Sequence, residues 1–144
     1  MEEFILHEDI KVVCVTATSF PDGVKEAHEK LHSLFPFTTK RRYFGISWGG
    51  ENELIHYKAA AEIINPEDTT VTGTEPFIIR QGKYQSILIK DFMKDTQLIG
   101  QAFEELLALP DLDPNGYCLE WYLSNNEVRC MVPLTNVPHH TISK

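Results

Sequence analysis

The chain has no apolar run approaching the roughly 20 residues that cross a bilayer, so no stretch reads as a membrane span. Its first residues, Met1-Glu2-Glu3, are acidic and lack the basic and apolar regions of a secretory leader, which makes the cytoplasm the expected compartment. Cysteine is scarce. Cys14, Cys118 and Cys130 lie far apart with no Cys-x-x-Cys spacing, which excludes a zinc knuckle or a disulfide framework and leaves buried strand thiols. Positive charge is in deficit as well: 13 Lys and Arg stand against 21 Asp and Glu, for a net charge of −8. That balance argues against direct binding of DNA or RNA, which requires a basic stripe for phosphates. The one short basic run, Lys40-Arg41-Arg42, is expected to be a solvated loop ahead of a strand. No glycine-rich phosphate loop, nucleophile elbow or Ser-His-Asp order is visible, so nothing supports covalent catalysis, and no cofactor or metal is expected.

What is present is ordinary for a globular domain. The 144 residues are 42% hydrophobic and 24% charged, enough for one domain with its own core. Phe4-Ile5-Leu6 and Ile10 to Thr16, separated by His7-Glu8-Asp9, read as two strands of a hairpin. Ser19-Phe20-Pro21-Asp22 reads as the start of a helix running to about Leu34, with Val24, Ala27, Leu31 and Leu34 as its buried stripe. Tyr43 to Trp48 and Leu54 to Ala59, joined through Gly49-Gly50-Glu51-Asn52, form a second hairpin. After a polar connector the order begins again: Phe77-Ile78-Ile79, Tyr84 to Ile89, a helix from Asp95 or Thr96 to Leu107 with Ile99, Ala102, Phe103 and Leu106 on one face, Gly116 to Tyr122, and Val128 to Val132. Tyr43 and Tyr117 are offset by 74 (117 − 43), as are Asn52-Glu53 and Asn126-Glu127 (126 − 52).

The expected fold is therefore α+β: a duplicated β-β-α-β-β module with a pseudo-twofold, building a curved antiparallel sheet of about eight strands with two helices. Repeat one would span 1–64, the connector 65–74, repeat two 75–134 and a C-terminal tail, with His139-His140, 135–144. A cleft between the halves is the natural place for a ligand.

Gly116-Tyr117-Cys118-Leu119-Glu120-Trp121-Tyr122 puts a carboxylate in the middle of a strand in which neither face is plainly polar. Cys118, Glu120 and Tyr122 share one face, and Tyr117, Leu119 and Trp121 the other. A desolvated carboxylate needs a partner or a task. The structural alternative is neutralisation: with a two-residue loop at Asn125-Asn126, Arg129 falls opposite Tyr122 and diagonal to Glu120. By the 74-residue offset, Phe44, Ile46 and Trp48 occupy the positions of Cys118, Glu120 and Tyr122. The aromatic residues taken singly are equally compatible with a plain core. His28-Glu29-Lys30-Leu31-His32 spells H-E-x-x-H on a helix, a zinc pattern, but no third ligand is indicated; it is expected to be a chance match on a surface helix.

Tyr43-Phe44-Gly45-Ile46, Tyr57-Lys58-Ala59, Gly82-Lys83-Tyr84, the second helix with Phe103, and Gly116 followed by Glu120 and Tyr122 together resemble the GyrI-like small-molecule-binding (effector-binding) domain family. That family includes the sensing domains of AraC- and MerR-type multidrug regulators. The resemblance covers nearly the whole chain. It implies an aromatic cleft whose glutamate attracts lipophilic cations, with Glu120 at that position and Tyr122 and Tyr57 as walls. The expected ligand-binding residues are Glu120, Tyr122, Trp48, Tyr57, Phe44 and Ile46, with Cys118 and Trp121 beside them. No helix-turn-helix precedes the first strand here, so the expectation is a free-standing effector-binding protein linked to transcription regulation or drug response. Two alternatives stay open. Some free-standing members resemble hydrolases of cyclopropanoid toxins, with Glu120 as general base near Trp48 and Trp121, and the family name itself points to a gyrase-type protein partner.

Overall fold

Two strands, a helix and two strands make up each half of the sequence, and the two halves are interlaced in one sheet. The computed structural model describes residues 1–49, 54–95 and 97–135. The elements are β1 (Glu2–Leu6), β2 (Ile10–Thr16), α1 (Val24–Leu34), β3 (Tyr43–Gly49), β4 (Ile55–Glu62), β5 (Glu75–Ile79), β6 (Gly82–Lys90), α2 (Gln97–Leu107), β7 (Cys118–Tyr122) and β8 (Glu127–Pro133). Residues 50–53 of the second hairpin turn, Asn52-Glu53 of the repeat match, the helix-start candidate Thr96 and the tail with His139-His140 lie outside the described residues. The eight strands form one half-barrel sheet in the order β1-β6-β8-β7-β3-β4-β2-β5, with every pairing antiparallel. Among the described residues no helix is long and apolar enough to cross a membrane.

The expected β1–β2 hairpin does not form. β1 pairs with β6 and β2 with β4 and β5, so each half lends a strand to the other. Only His7, Glu8 and Asp9 join the end of β1 to the start of β2, a span of at most about 14 Å. Strands near opposite ends of the sheet can be linked so briefly only because the sheet curls until its ends approach. Asp9 Oδ1 accepts the Gln81 amide at 2.8 Å across that closure. Alternation in the sequence located both strands, but it carries no information about which edges pair.

The inside of the curl is a core drawing on all eight strands: Leu6, Val12, Phe44, Ala60, Ile79, Tyr84, Leu119 and Met131 are among its members. The outer face carries the helices. Ala27 and Leu31 of α1 pack on Val13, Tyr57, Ala59 and Ala61, while Ala102 and Leu106 of α2 pack on Ile89, Val128, Cys130 and Val132. Helix α1 starts at Val24, later than expected from Pro21. Gly45 pairs directly with Glu120, so these two share a face, and a face-preserving match of β3 to β7 needs an odd offset such as 75 (120 − 45). The 74-residue alignment is thereby corrected. Phe44, Ile46 and Trp48 lie on the inside of the curl, away from Cys118, Glu120 and Tyr122.

The basic run is a loop ahead of β3, as expected, with Lys40 exposed, but Arg41 within it is not solvated. Arg41 Nη1 donates to the Glu62 carbonyl at 2.7 Å and to Asp68 Oδ2 at 2.9 Å, and its guanidinium lies 5.1 Å from the centre of the Phe35 ring. The Ile64 and Asn65 amides donate to the same Asp68 oxygen, each at 3.0 Å. Burial pushes the Asp68 carboxyl up, but the amides and the guanidinium outweigh it and hold the carboxyl below its ordinary range. A lowered folded value gives stability that is present above the unfolded value and is lost as pH falls through the folded one. Arg41→Met should therefore cost about 3 kcal/mol near neutral pH by stranding a buried charge. Thermal melts should show that loss shrinking in acid; an equal loss at pH 7 and pH 3 would mean the ion pair is not its source.

Candidate functional site

Glu120 lies on the helix-bearing face, between the territories of α1 and α2, and is 9% exposed. Its position follows from the β7 register: Glu120 pairs with Gly45 of β3 on one side and with Cys130 of β8 on the other. The β7–β8 turn closes with the Leu123 and Ser124 amides donating to the Glu127 carbonyl, which sets Arg129 opposite Trp121 instead of Tyr122. A one-residue slip reverses every side chain. Arg129 consequently points to the other face, where it meets Ser86 Oγ at 3.3 Å, Glu2 Oε1 at 3.6 Å and the Phe4 ring. It does not neutralise Glu120, and no salt bridge reaches Glu120 among the described residues.

Two tyrosine hydroxyls reach it instead. Tyr57 donates to Glu120 Oε1 at 2.8 Å, and Tyr122, two residues along the same strand, donates to the same oxygen. Tyr57 comes from β4, two strands away, and crosses β3 over Gly45. A Cβ on Gly45 would stand 2.0 Å from the Tyr57 hydroxyl oxygen and 2.6 Å from Glu120 Oε1, so this strand glycine marks a close approach that no side chain could share. Burial raises the Glu120 carboxyl above its ordinary range, with the Tyr122 and Tyr57 hydrogen bonds opposing the rise. The same burial, with the Glu120 charge, pushes both phenols well above their usual value, so they stay neutral donors.

His28 of α1 closes the network, its Nε2 lying 2.7 Å from the Tyr57 hydroxyl. Burial, with His32 nearby, lowers the His28 pKa to about 4, so the ring is neutral at physiological pH. Its edge contacts on Tyr57 and Tyr122 fix the ring plane. The two histidines of the H-E-x-x-H pattern thus turn onto aromatic side chains of the sheet and the loop after α1, His28 against Tyr57 and Tyr122, and are half-buried, not solvated on the helix flank. His32 packs against Tyr43 and Phe37, and among the described residues no group of three or more His, Cys, Asp or Glu side chains is placed to hold a metal.

Over this network lies a cavity of about 640 Å³ between α1 and the β7–β8 turn. Its lining includes His28, His32, Phe37, Tyr43, Phe92, Met93 and Tyr122, with Lys25, Glu29, Ser124 and Asn125 at its margins. Phe37, stacked on Tyr43, and Met93 are 60% and 69% exposed, which leaves apolar surface facing the cavity. Glu120 stands one layer behind this lining, joined to it through Tyr122 directly and through Tyr57 to His28.

Of the residues expected at the site, the structure brings together Glu120, Tyr57 and Tyr122. Phe44 and Ile46 are fully buried inside the curl. Trp48 and Cys118 border a separate groove of about 480 Å³ beside Asp113 to Tyr117. Trp121 borders a third hollow with Phe4 and Arg42. Missing from the expectation were His28, His32, Phe37, Tyr43, Phe92, Met93 and Gly45. His28 had a sequence signal in its helical spacing beside Ala27, and Gly45 had one as a glycine in the middle of a strand. Phe37, Phe92 and Met93 sit in connections, where periodicity says nothing.

No family model matches the chain, and no curated protein sequence does. Solved structures share its fold. An integron cassette protein from the mobile metagenome of Vibrio cholerae aligns over 93% of this chain and 95% of its own, with a TM-score of 0.68 and 15% identity. A Listeria innocua hydrolase aligns over 93% and 91%, with a TM-score of 0.60 and 10% identity. SAV2435, solved bound to tetraphenylphosphonium, aligns over 100% of both chains with a TM-score of 0.64 and 9% identity. At these identities the likeness is one of fold: a curved eight-stranded sheet with two helices.

Proposed function

We propose that this protein binds a lipophilic cation in the cleft between α1 and the β7–β8 turn, with Glu120 supplying the negative charge behind an aromatic lining. The observation that carries the reading is a buried carboxylate bonded, among the described residues, only by neutral hydroxyls, beneath an apolar cavity of about 640 Å³. That volume lies within the range of about 300–1,000 Å³ occupied by small-molecule sites. Ring faces add about 0.5–2 kcal/mol for each cation they meet, and apolar area removed from water supplies the rest. That a protein of the same fold holds tetraphenylphosphonium supports the choice of probe. The finer reading, a GyrI-like effector-binding domain that senses a drug or toxin, rests on this binding.

Calorimetric titration with tetraphenylphosphonium should give saturable one-to-one binding. Phe37→Ala should weaken it about threefold to tenfold without lowering the melting temperature, since that ring is already largely exposed. Absence of binding by a correctly folded protein would sink the reading. The hydrolase alternative draws on the raised Glu120 pKa, which suits a general base. Trp48 and Trp121, its expected companions, stand on the opposite side of the sheet and do not line this cavity, so the hydrolase reading has no tryptophan beside Glu120 there. Turnover of a cyclopropanoid substrate that is lost in Glu120→Gln would support it over binding.

A further inference from the structure

We propose that His28 is the positioning residue of this site: its Nε2–H holds the Tyr57 oxygen and so aims the single Tyr57 hydroxyl hydrogen at Glu120. The inference rests on the cation-site reading for its purpose, but not for its geometry. A phenol has one hydrogen to donate. Tyr57 lies 2.8 Å from Glu120 Oε1 and 2.7 Å from His28 Nε2, and one hydrogen cannot serve both. With the hydrogen on Glu120, the His28 contact is a bond only if Nε2 carries a proton, which in a neutral ring leaves Nδ1 bare. In the other tautomer a bare Nε2 would compete for the Tyr57 hydrogen, and Glu120 would keep only Tyr122.

The placement follows from α1. His28 is next to the buried Ala27, on the side of the helix that meets β4 and β7, and its ring is held edge-on by Tyr57 and Tyr122. The other titratable groups around the pair are Tyr57 of β4, Cys118 and Tyr122 of β7, and Cys130 of β8, all neutral at physiological pH because burial raises each. From α1 itself come His32, and Lys25 and Glu29 at the cavity margin; Tyr43 of β3 completes the wall. The lysine and the glutamate carry opposite charges, so within the protein the Glu120 charge is held chiefly by two donated hydrogens, one of them directed by His28. A site arranged in this way keeps its carboxylate ionised to lower pH than burial alone allows, and a cation competes with a proton for it.

The test follows the Glu120 carboxyl carbon by NMR across pH in the ligand-free wild type, His28→Phe and His28→Gln, alongside the pH dependence of tetraphenylphosphonium affinity. His28→Phe should move the Glu120 midpoint up by about one pH unit, as loss of a directed hydrogen bond to a charged group implies. Cation affinity well below the midpoint should fall about tenfold with it, while affinity for neutral triphenylphosphine oxide should hold. His28→Gln, whose amide can donate at similar reach, should restore most of the midpoint. A merely structural role would weaken both ligands and leave the midpoint in place, and that result would overturn the proposal. Should His28→Phe not fold, the ring nitrogen shifts of wild-type His28 decide: a proton on Nε2 is expected, and a proton on Nδ1 alone would overturn the assignment. If the wild type binds no cation, the cation-site reading falls, while the midpoint comparison still judges His28.

Discussion

Glu120→Gln should lower tetraphenylphosphonium affinity about a hundredfold, leave neutral triphenylphosphine oxide nearly unaffected, and leave the fold at least as stable. A cation in the cleft would stand one side-chain layer from the carboxylate. At about 5 Å and an effective dielectric near 20, opposite charges attract by about 3 kcal/mol, or roughly two decades in affinity. Glutamine keeps a carbonyl oxygen that can accept the Tyr57 and Tyr122 hydrogens, so the local network survives the change. The stability half of the prediction has its own sign. Glu120's folded pKa is raised by burial, so its contribution to stability is full below the unfolded value and is lost as pH rises through the folded one. The stability of the variant relative to wild type should therefore increase as pH rises above the ordinary carboxylate range, measured by denaturant melts from acid to neutral pH. Equal weakening of both ligands would show that the substitution acts through packing, and the charge role would be lost.

Gly45→Ala should be the most damaging single methyl in the molecule. The added Cβ would lie 2.0 Å from the Tyr57 oxygen, 2.8 Å from its Cζ and 2.6 Å from Glu120 Oε1. Tyr57 is among the largest fully buried side chains, so it cannot swing aside without disturbing the packing of α1 on Ala59 and Ala61. Overpacking of this kind costs about 1–3 kcal/mol, and displacing the Tyr57 hydroxyl removes one of the two donors to a buried carboxylate. A fall in melting temperature of about 6–12 °C is expected, together with loss of cation binding. Tyr57→Phe in the same background removes the closest clash, so the double variant should recover part of the stability but none of the binding. Strict additivity in that double-mutant cycle would mean that residues 45 and 57 do not touch.

Much of the fold was legible because strand alternation and helix spacing are local properties. The eight strands, both helices and the α+β class follow from residues such as Val12 to Val15 and Ala27 with Leu31, whose burial agrees with their spacing. What alternation cannot carry is pairing. The β1–β6 and β2–β5 partnerships depend on the curl of the whole sheet, and three residues between β1 and β2 suit a hairpin as well as a crossover. Register is equally silent. A single residue more in the β7–β8 turn separates an Arg129 diagonal to Glu120 from the Arg129 observed on the other face. The candidate site shows the same division. Glu120 stood out because a carboxylate in an apolar strand is a local anomaly, and Tyr122 shares its face by period two. Tyr57 enters by crossing a neighbouring strand at a glycine, and His28 by helix docking, both of which are tertiary events.

The claim beneath all of this is that the Glu120 carboxylate, held by hydroxyls and by no cation among the described residues, is what a positively charged ligand seeks in the cleft. Its most direct test is the Glu120 carboxyl carbon signal, followed by NMR through a pH titration with and without saturating tetraphenylphosphonium. The bound cation should lower the Glu120 midpoint by about two pH units, the counterpart of the hundredfold affinity difference. A ligand that binds while that midpoint stays in place would contradict the account.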